Sequence, residues 1–412
     1  MNARSLWTIA TVLGALPLAT YVQAQQFLWE EKTSMPVGRW GASTFVIDGL
    51  AYVVAGRLGN VDRTEMWCYD PDLDTWTTKA DIPVGRRLAA AFSINGKGYV
   101  ACGLTGTSTK LSDLWEYDPV TDSWTEKAAF PGQARYGTFH FALNGKGYVG
   151  TGNVGSSAGP FLTDSWSYEP LTDSWSQSAT IPDLARHGTS SFIMNGKGYV
   201  VGGKESDQFY SNDLWEFDPI TQTWSSLAPF PGGPRSSQMA FTFGSIAVVG
   251  CGRDESENFF DVWVYNRITD QWTISLQYPG ESSLAGTSFT IGQRSFGGLG
   301  WLLTDNSSRA DLWELVKPDD VGIQDRKGNS SFSIYPNPAG ACEVVRISDE
   351  SGRPTIVNML TLDGSIVGSW RVPSGGVIPF GQVRPGTYLI QRASGVHEPC
   401  LPLIIVDRAR PE

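Results

Sequence analysis

The chain has 412 residues, of which 41% are hydrophobic and 18% are charged. These values are typical of a globular protein, and the length is sufficient for two separate cores. Its 42 acidic residues outnumber 31 basic ones, which gives a formal net charge of −11 at pH 7. An acidic protein of this kind argues against nucleic acid or an anionic membrane as the partner.

Residues 1–24 have the pattern of a secretory signal peptide. Arg4 precedes an apolar run from Leu6 to Ala19, and Val22-Gln23-Ala24 provides the small residues of a cleavage site. We therefore expect cleavage between Ala24 and Gln25. The apolar run is too short for a membrane anchor, and no later stretch reaches about 18 apolar residues, so we expect no membrane span.

Residues 25–316 repeat one phrase every 47 to 51 residues: a Gly-rich strand, a loop, Trp-x-Tyr/Phe-Asp-Pro, and a second Trp. The second tryptophan recurs at Trp29, Trp76, Trp124, Trp175, Trp224 and Trp272. The first recurs at Trp67, Trp115, Trp166, Trp215, Trp263 and Trp313. A period of about 50 residues built from short strands predicts a β-propeller with one four-stranded sheet, or blade, per repeat.

The third repeat shows how one blade is encoded. An alternating apolar and polar strand ends at Asn144-Gly145, which is a favoured two-residue hairpin turn. Residues 147–152 predict the second strand, Asp164 to Tyr168 the third, and Trp175 lies on the fourth.

The two tryptophan series are out of step at their ends. Trp29 is an outer-strand residue with no blade before it, and Trp313 is a third-strand residue with no fourth strand after it. We therefore expect Phe27 to Glu30 to supply the missing strand of the last blade. This closure gives six blades and removes two exposed sheet edges.

The repeat pattern stops after Val316. Residues 317–331 are polar and predict a linker, and residues 332–412 predict a small β-sandwich. Cys342 and Cys400 both lie in that domain and could form a disulfide in an oxidising compartment. The other three cysteines lie on predicted strands of different blades, where we expect buried free thiols: Cys68, Cys102 and Cys251.

The repeats resemble kelch repeats from Trp29 to Leu315. Asn-Gly-Lys-Gly-Tyr-Val is intact at Asn95, Asn144 and Asn195, whereas blades 5 and 6 are degenerate at that place. The resemblance implies an all-β, six-bladed kelch-type β-propeller. Kelch propellers include ligand-binding proteins, copper-radical oxidases and sugar mutarotases, so the fold alone decides little about function.

The C-terminal region resembles the sorting domain of substrates of type IX secretion in Bacteroidetes-like bacteria. Tyr335-Pro336-Asn337-Pro338 matches the opening of that domain, and Gly386-Thr387-Tyr388-Leu389 matches its closing motif. The resemblance implies that the type IX machinery is a partner. It also implies that the protein passes through the periplasm and is secreted or displayed on the outer cell surface.

One arginine recurs where the innermost strand of each blade should begin. Arg39, Arg86, Arg135, Arg186 and Arg235 hold this place, and blade 6 has Ser283 there. Five guanidinium groups around one channel mouth would suit a carboxylate or sulfate ligand. Because a residue repeated in every blade is more often part of the scaffold, we favour a structural role that ties neighbouring blades together.

The loops that join second and third strands differ from blade to blade and are the better candidates for recognition. They carry five aromatic residues beside amides and carboxylates, as a sugar or peptide surface requires: Phe161, Phe209, Tyr210, Phe259 and Trp301. The same residues could instead pack the loops against the blades.

Catalysis has weak support in the sequence. The propeller has two histidines, His140 and His187, with no cluster of histidines and carboxylates, so we expect no metal and no cofactor. We predict a binding module for a carbohydrate or protein ligand, which includes an adhesive role. The alternative is an enzyme acting on a small carbohydrate, mutarotase- or epimerase-like, through His187 and Arg186 with Glu255 or Glu257 opposite.

Overall fold

The computed structural model describes residues 27–182, 185–206, 208–280, 285–302 and 306–316, together with eight strands between residues 332 and 406. At residues 274–276 and in those eight strands it describes the backbone alone. The chain divides into two compact units, residues 1–320 and 321–412. No helix in the described part of the chain is long and apolar enough to cross a membrane.

The first unit contains six four-stranded antiparallel sheets. Blades 1 to 3, from inner to outer strand, are formed by Ser43–Ile47, Leu50–Val54, Met66–Asp70 and Thr75–Lys79; Ala90–Ile94, Lys97–Ala101, Leu114–Asp118 and Ser123–Lys127; Phe139–Leu143, Lys146–Gly150, Ser165–Glu169 and Ser174–Ser178. Blades 4 to 6 are formed by Ser190–Met194, Lys197–Lys204, Tyr210–Asp218 and Thr223–Leu227; Met239–Phe243, Ile246–Gly250, Asp261–Asn266 and Gln271–Gln277; Thr287–Ile291, Arg294–Leu302, Ser307–Val316 and Leu28–Lys32. The predicted six-bladed, all-β propeller is confirmed.

Three short hairpins extend the loops between the second and third strands of blades 1 to 3. They pair Arg57–Leu58 with Val61–Asp62, Leu104–Thr105 with Thr109–Lys110, and Asn153–Ser156 with Gly159–Phe161. We call the side of the propeller that carries the loops between second and third strands the loop face. Because strand direction alternates within a blade, the tight turns after the first and third strands lie on the opposite, turn face.

The Asn-Gly-Lys-Gly motif has two separate structural reasons. Asn144 and Gly145 have φ of 51° and 76°, as a hairpin turn with two left-handed residues requires. The second glycine, Gly147, lies against the ring of Phe92 in the preceding blade, and a Cβ added there would be 2.2 Å from that ring. The motif therefore sets the turn and leaves space for the neighbouring blade.

The closure of the ring is confirmed. Leu28–Lys32 pairs antiparallel with Ser307–Val316, with Leu28 opposite Val316 and Lys32 opposite Leu312. Trp29 packs edge-on against Tyr278, with ring centroids 5.2 Å apart. The ammonium group of Lys32 lies 2.9 Å from the carboxylate of Glu314 in the adjacent strand. The strand supplied by the start of the chain is thus joined to blade 6 by pairing, packing and charge.

A chain of backbone hydrogen bonds runs around the propeller axis. Each blade contributes to this chain one residue with a left-handed φ, between 47° and 66°: Gly41, Leu88, Gly137, Gly188, Ser237 and Ala285. Five hydrogen bonds of 2.7 to 2.9 Å link these residues from blade to blade. Because side chains disfavour positive φ, three of the six positions are glycine, and the others accept a strained backbone.

The second unit has a three-stranded and a five-stranded sheet. The first contains Phe332–Tyr335, Val344–Asp349 and Val377–Pro379; the second contains Ala339–Gly340, Cys400–Val406, Gly386–Arg392, Thr355–Leu360 and Ile366–Val372. The predicted β-sandwich stays a prediction. The signal segment with Ala24 and Gln25, the linker 317–331 and Cys342 lie outside the described residues, as does the side chain of Cys400.

Candidate functional site

The repeated arginines form a buried layer beneath the loop face. The side chains of Arg39, Arg86, Arg135, Arg186 and Arg235 are at most 1% exposed. Arg135 donates to both carboxylate oxygens of Asp164, at 2.6 and 2.9 Å, and to the carbonyl oxygen of Thr151. Burial would raise the pKa of Asp164, but hydrogen bonds from Arg135 and Trp166 outweigh it and lower that pKa.

These arginine contacts correct two expectations. Each guanidinium donates to residues at the ends of the second and third strands of its own blade, so these hydrogen bonds hold one blade together rather than two neighbouring blades. The backbone does so instead, because the carbonyl of Arg186 accepts a hydrogen bond from Gly152 of the preceding blade. Arg135 and Arg186, considered above as ligand-binding residues, are buried and bonded to Asp164 and Asp213, so the structure does not present them to a ligand.

The residue that follows each arginine lies at the channel mouth. We call these five the mouth residues; each forms a β-bridge with a residue of its own second-to-third-strand loop. They are Trp40, Arg87, Tyr136, His187 and Ser236, bridged to Arg57, Leu104, Asn153, Lys204 and Arg253. Unlike the arginines, they differ in every blade, as expected of a site rather than a scaffold.

On the side of blades 1 and 2 the residues of the mouth are held by aromatic and charged contacts. Trp301, a predicted ligand-binding residue, packs edge-on against Trp40 at 5.9 Å. The guanidinium of Arg87 lies over the Trp40 ring at 5.6 Å and donates to both carboxylate oxygens of Asp62, at 2.6 and 2.7 Å. Trp301 therefore supports the mouth and is only partly exposed.

On the side of blades 3 and 4, His187 contacts two aromatic rings. Phe161 is 4.6 Å away and Tyr136 is 5.8 Å away, measured between ring centroids. Burial and the charge of Lys204 lower the pKa of His187 to about 4, so the imidazole is neutral at pH 7. Phe161 is 8% exposed and contacts His187, so of the two roles considered for it the structure shows packing of the loop against the blade.

The loops of blades 4 and 5 form a patch of four residues, Lys204, Phe209, Tyr210 and Glu255, which we call the loop patch. Phe209 is 67% exposed. The Tyr210 hydroxyl donates to Glu255 at 3.1 Å, and the Lys204 ammonium lies 5.6 Å from the Tyr210 ring and 3.6 Å from Glu255. Burial and the Glu255 carboxylate raise the pKa of Tyr210 to about 12.

Phe259 lies beside the loop patch but has a different environment. Its ring covers the guanidinium of Arg235 at 3.7 Å, and the side chain is only partly exposed. The structure thus brings Phe209 and Tyr210 together at the surface and places Phe161, Phe259 and Trp301 against the scaffold. All five keep their ligand-binding role as a prediction.

An axial cavity of about 160 Å³ lies below the mouth, lined by the residues at the start of all six inner strands. His140 is among the lining residues, and burial lowers the pKa of His140 to about 4. The described lining contains hydroxyl, carboxamide, imidazole and apolar groups, the last including Leu88, and no formally charged side chain. The described residues also contain no group of three or more histidines, cysteines or carboxylates that could hold a metal ion.

Four of the mouth residues were missed by the sequence analysis: Trp40, Arg87, Tyr136 and Ser236. The signal was present, because the position after the repeated arginine reads Trp, Arg, Tyr, His and Ser in successive blades. A search for variation at a fixed position of the repeat would have found them, whereas a search for aromatic loop residues did not.

Two family models match the chain. One is described as the KLHDC2/KLHL20/DRC7 Kelch-repeats domain and matches residues 133–293. The other, the Kelch motif, matches residues 39–83 and 85–131. No protein of curated function matches the chain.

Among 536 solved chains that match, one titled "Structure of YjhT" is 18% identical, with a TM-score of 0.59. The match covers 68% of this chain and 96% of that one. At this identity the likeness shows the fold alone. Together with the six antiparallel sheets, the two family models identify the N-terminal unit as a six-bladed β-propeller built from kelch repeats.

Proposed function

We propose that the propeller is a binding module whose loop patch, beside the channel mouth, recognises a carbohydrate. The observation that carries the proposal is the exposure of Phe209. Among the large apolar side chains that are exposed in the described part of the chain, Phe209 alone is aromatic. An exposed ring provides a flat apolar face for a sugar. When a ligand covers that face, apolar surface is removed from water, which favours binding.

The neighbours of Phe209 supply polar contacts of both kinds. Glu255 is an acceptor and Lys204 is a donor; the Tyr210 hydroxyl donates to Glu255, and the Lys204 ammonium contacts both Glu255 and the Tyr210 ring. Because these groups already contact one another, they are ordered before a ligand arrives, which reduces the entropy lost on binding. An aromatic face beside ordered donors and acceptors suits the alternating C–H and hydroxyl surfaces of a sugar.

A glycan array probed with the full chain tests this proposal. We expect binding to a defined set of glycans, and we expect Phe209→Ala and Tyr210→Ala to abolish it. Leu171→Ala is the matched control, because Leu171 is 88% exposed but lies in a turn on the opposite face. Binding that survives both loop-patch substitutions, or that is lost in Leu171→Ala, would contradict the proposal; glycan-independent capture of a protein ligand by the same patch would replace it.

The export route is a separate part of the proposal. The signal-like segment 1–24 and the two motifs Tyr335-Pro336-Asn337-Pro338 and Gly386-Thr387-Tyr388-Leu389 support type IX secretion to the surface or the medium. We expect a chain truncated after Val316 to keep a folded propeller and to accumulate in the periplasm, measured by cell fractionation. Arrival of the truncated chain at the surface would contradict this route.

A further inference from the structure

Exposed aliphatic side chains recur at the edge of the turn face, one in each blade. Five lie in the turns between third and fourth strands, and the sixth begins the outer strand of blade 6, which has no such turn. We call them the rim residues: Leu73, Val120, Leu171, Ile220, Ile268 and Leu28, which are 57% to 89% exposed. Among the described residues, the other exposed large apolar side chains are Val61, Ile193 and Phe209. Most of the exposed apolar side chains are therefore collected at one edge of the propeller.

The turns hold the rim residues in place without requiring them to be apolar. The Asp118 carboxylate accepts a hydrogen bond from the backbone N–H of Val120 at 2.9 Å, and Asp218 does the same for Ile220 at 2.8 Å. These bonds stabilise the turn and use only the backbone of the aliphatic residue. In blade 1 the residue directly after the proline is Asp72, so the turn accepts a charged side chain at that position. The scaffold therefore gives no reason for the apolar side chains.

Charged groups beside the rim residues are paired within the chain. Lys97 forms an ion pair with Asp118, and the Lys197 ammonium lies 3.2 Å from the carboxylate of Asp218. A partner of high charge would find these groups already used, whereas a partner with apolar surface would remove the aliphatic side chains from water. The formal net charge of −11 argues against an anionic lipid surface as that partner.

The arrangement of the rim residues fits a second copy of the same face. One rim residue per blade gives a ring of six around the propeller axis. Such a ring is carried onto itself by a twofold axis perpendicular to the propeller axis. A second copy placed turn face against turn face therefore brings aliphatic side chains opposite aliphatic side chains. Closed twofold dimers are the most common assembly of identical chains, because one patch serves both partners.

The amount of apolar surface is in the range that a dimer needs. An exposed Val, Leu or Ile side chain offers roughly 100 Å² of apolar surface, so six of them offer roughly 600 Å² per copy. Each partner of a stable interface contributes about 800 Å². Polar groups between the rim residues supply the remainder, as they do in most interfaces.

We propose that the propeller forms a back-to-back dimer in which the turn faces of two copies meet through their rim residues. The two loop faces then point in opposite directions, so one dimer presents its loop patches to two separate ligand-bearing surfaces. Only this consequence rests on the proposed function of the loop patch, and the dimer itself does not.

Sedimentation equilibrium of the full chain over about a hundredfold range of concentration tests the dimer. We expect a reversible monomer–dimer equilibrium that shifts toward the dimer as salt is added, because salt screens the repulsion between two acidic chains. Val120→Asp, Leu171→Asp and Ile220→Asp combined should raise the dissociation constant by about a hundredfold or more, since carboxylates replace apolar contacts in both copies. The melting temperature of this triple variant should stay close to that of the parent chain, because all three side chains are exposed.

Val61→Asp is the matched control, because Val61 is exposed but lies in a hairpin on the loop face. It should leave the dissociation constant of the dimer unchanged. A full chain that is monomeric at every concentration, a dimer that persists in the triple variant, or a dimer that is lost in Val61→Asp would each overturn the proposal. Binding of the full chain to phosphatidylcholine vesicles that the triple variant loses would also overturn it, and would assign the rim residues to a lipid surface instead.

Discussion

The repeated arginine and the residue that follows it are one peptide bond apart, yet they belong to different layers of the propeller. Arg135 is 1% exposed and bonded to Asp164 within its own blade, whereas Tyr136 contacts His187 of the next blade at the channel mouth. The arginine recurs in five blades, and the next residue never does. In this propeller a residue that is repeated from blade to blade belongs to the scaffold, whereas variation at a fixed position of the repeat indicates the candidate site.

The largest expected effect is on the arginine layer. Arg135→Ala should lower the free energy of unfolding by about 3 to 5 kcal/mol, because it leaves the partly buried Asp164 carboxylate without its guanidinium. Urea unfolding measures the change. The control is Arg63→Ala, which breaks an ion pair whose partners are 31% and 32% exposed and should cost about 1 kcal/mol or less. An equal loss of stability in the two variants would contradict the structural role of the arginine layer.

The second-largest effect is expected at the closing strand, Leu28–Lys32, which belongs to the scaffold although it is far in sequence from the rest of blade 6. Trp29→Ala should lower the free energy of unfolding by about 3 kcal/mol, since the ring packs against Phe241 of blade 5 and against Tyr278, which follows the outer strand of that blade. Glu31→Ala, an exposed change in the same strand, should be within about 0.5 kcal/mol of the parent chain. Deleting residues 25–34 should destabilise the whole ring, and an unchanged melting temperature would contradict six-blade closure.

Blade 6 differs from blade 3 in the arginine layer. Its carboxylate equivalent to Asp164 is Asp311, which has a different hydrogen-bond partner. Asp311 accepts a hydrogen bond from the hydroxyl of Tyr278 at 3.1 Å, and burial raises the pKa of Asp311, whereas the pKa of Asp164 is lowered. A carboxyl group whose pKa is lower in the folded than in the unfolded state stabilises the fold at pH values above its unfolded pKa of about 3.9. This stabilisation is lost as the pH falls through the pKa of the folded state. A raised pKa has the opposite effect: its stability is present at low pH and is lost as the pH rises through the folded pKa.

Two substitutions should therefore differ in sign. At pH 7 Asp164→Asn should destabilise the propeller by on the order of 1 kcal/mol or more, because a charge-assisted pair is lost. Asp311→Asn should be neutral or stabilising at pH 7. Unfolding by urea from pH 3 to pH 7 compares them, and a parallel loss of stability in both variants would show that the two carboxylates are equivalent.

The smallest effect on stability is expected at the loop patch. Phe209→Ala should change the free energy of unfolding by less than about 0.5 kcal/mol, because the ring is 67% exposed. Thermal unfolding measured beside glycan binding should show an unchanged melting curve with lost binding. A clear loss of stability would place Phe209 in the scaffold with Phe161 and Phe259.

The fold could be predicted further from the sequence than the site. The tryptophan period fixed the number of sheets, and the mismatch of Trp29 and Trp313 predicted the closing strand, because both depend on spacing alone. Spacing does not tell where a side chain projects. Phe161 has the sequence of an exposed loop residue but covers His187, and the guanidinium of Arg135 faces Asp164, which is 29 residues away in the chain.

The axial cavity was beyond the sequence analysis for a related reason. The cavity exists only when six distant segments meet around the axis, and Thr138 or Ala89 alone indicates nothing about a cavity. Alignment of the six repeats does place these residues in one column. The alignment alone, however, does not show that these residues meet around the propeller axis.

The pairing of Leu28 with Val316 has a mechanical consequence. Both residues lie at the turn face, so a force applied between the two ends of the propeller acts on that pair first. In an antiparallel ladder loaded at one end, the hydrogen bonds break one after another rather than together. Blade 6 should thus unzip at low force, while the other five blades, each continuous in sequence, stay folded until the ring is already open. A force applied at Leu28 and Val316 therefore enters the propeller at the turn face and does not act directly on the mouth.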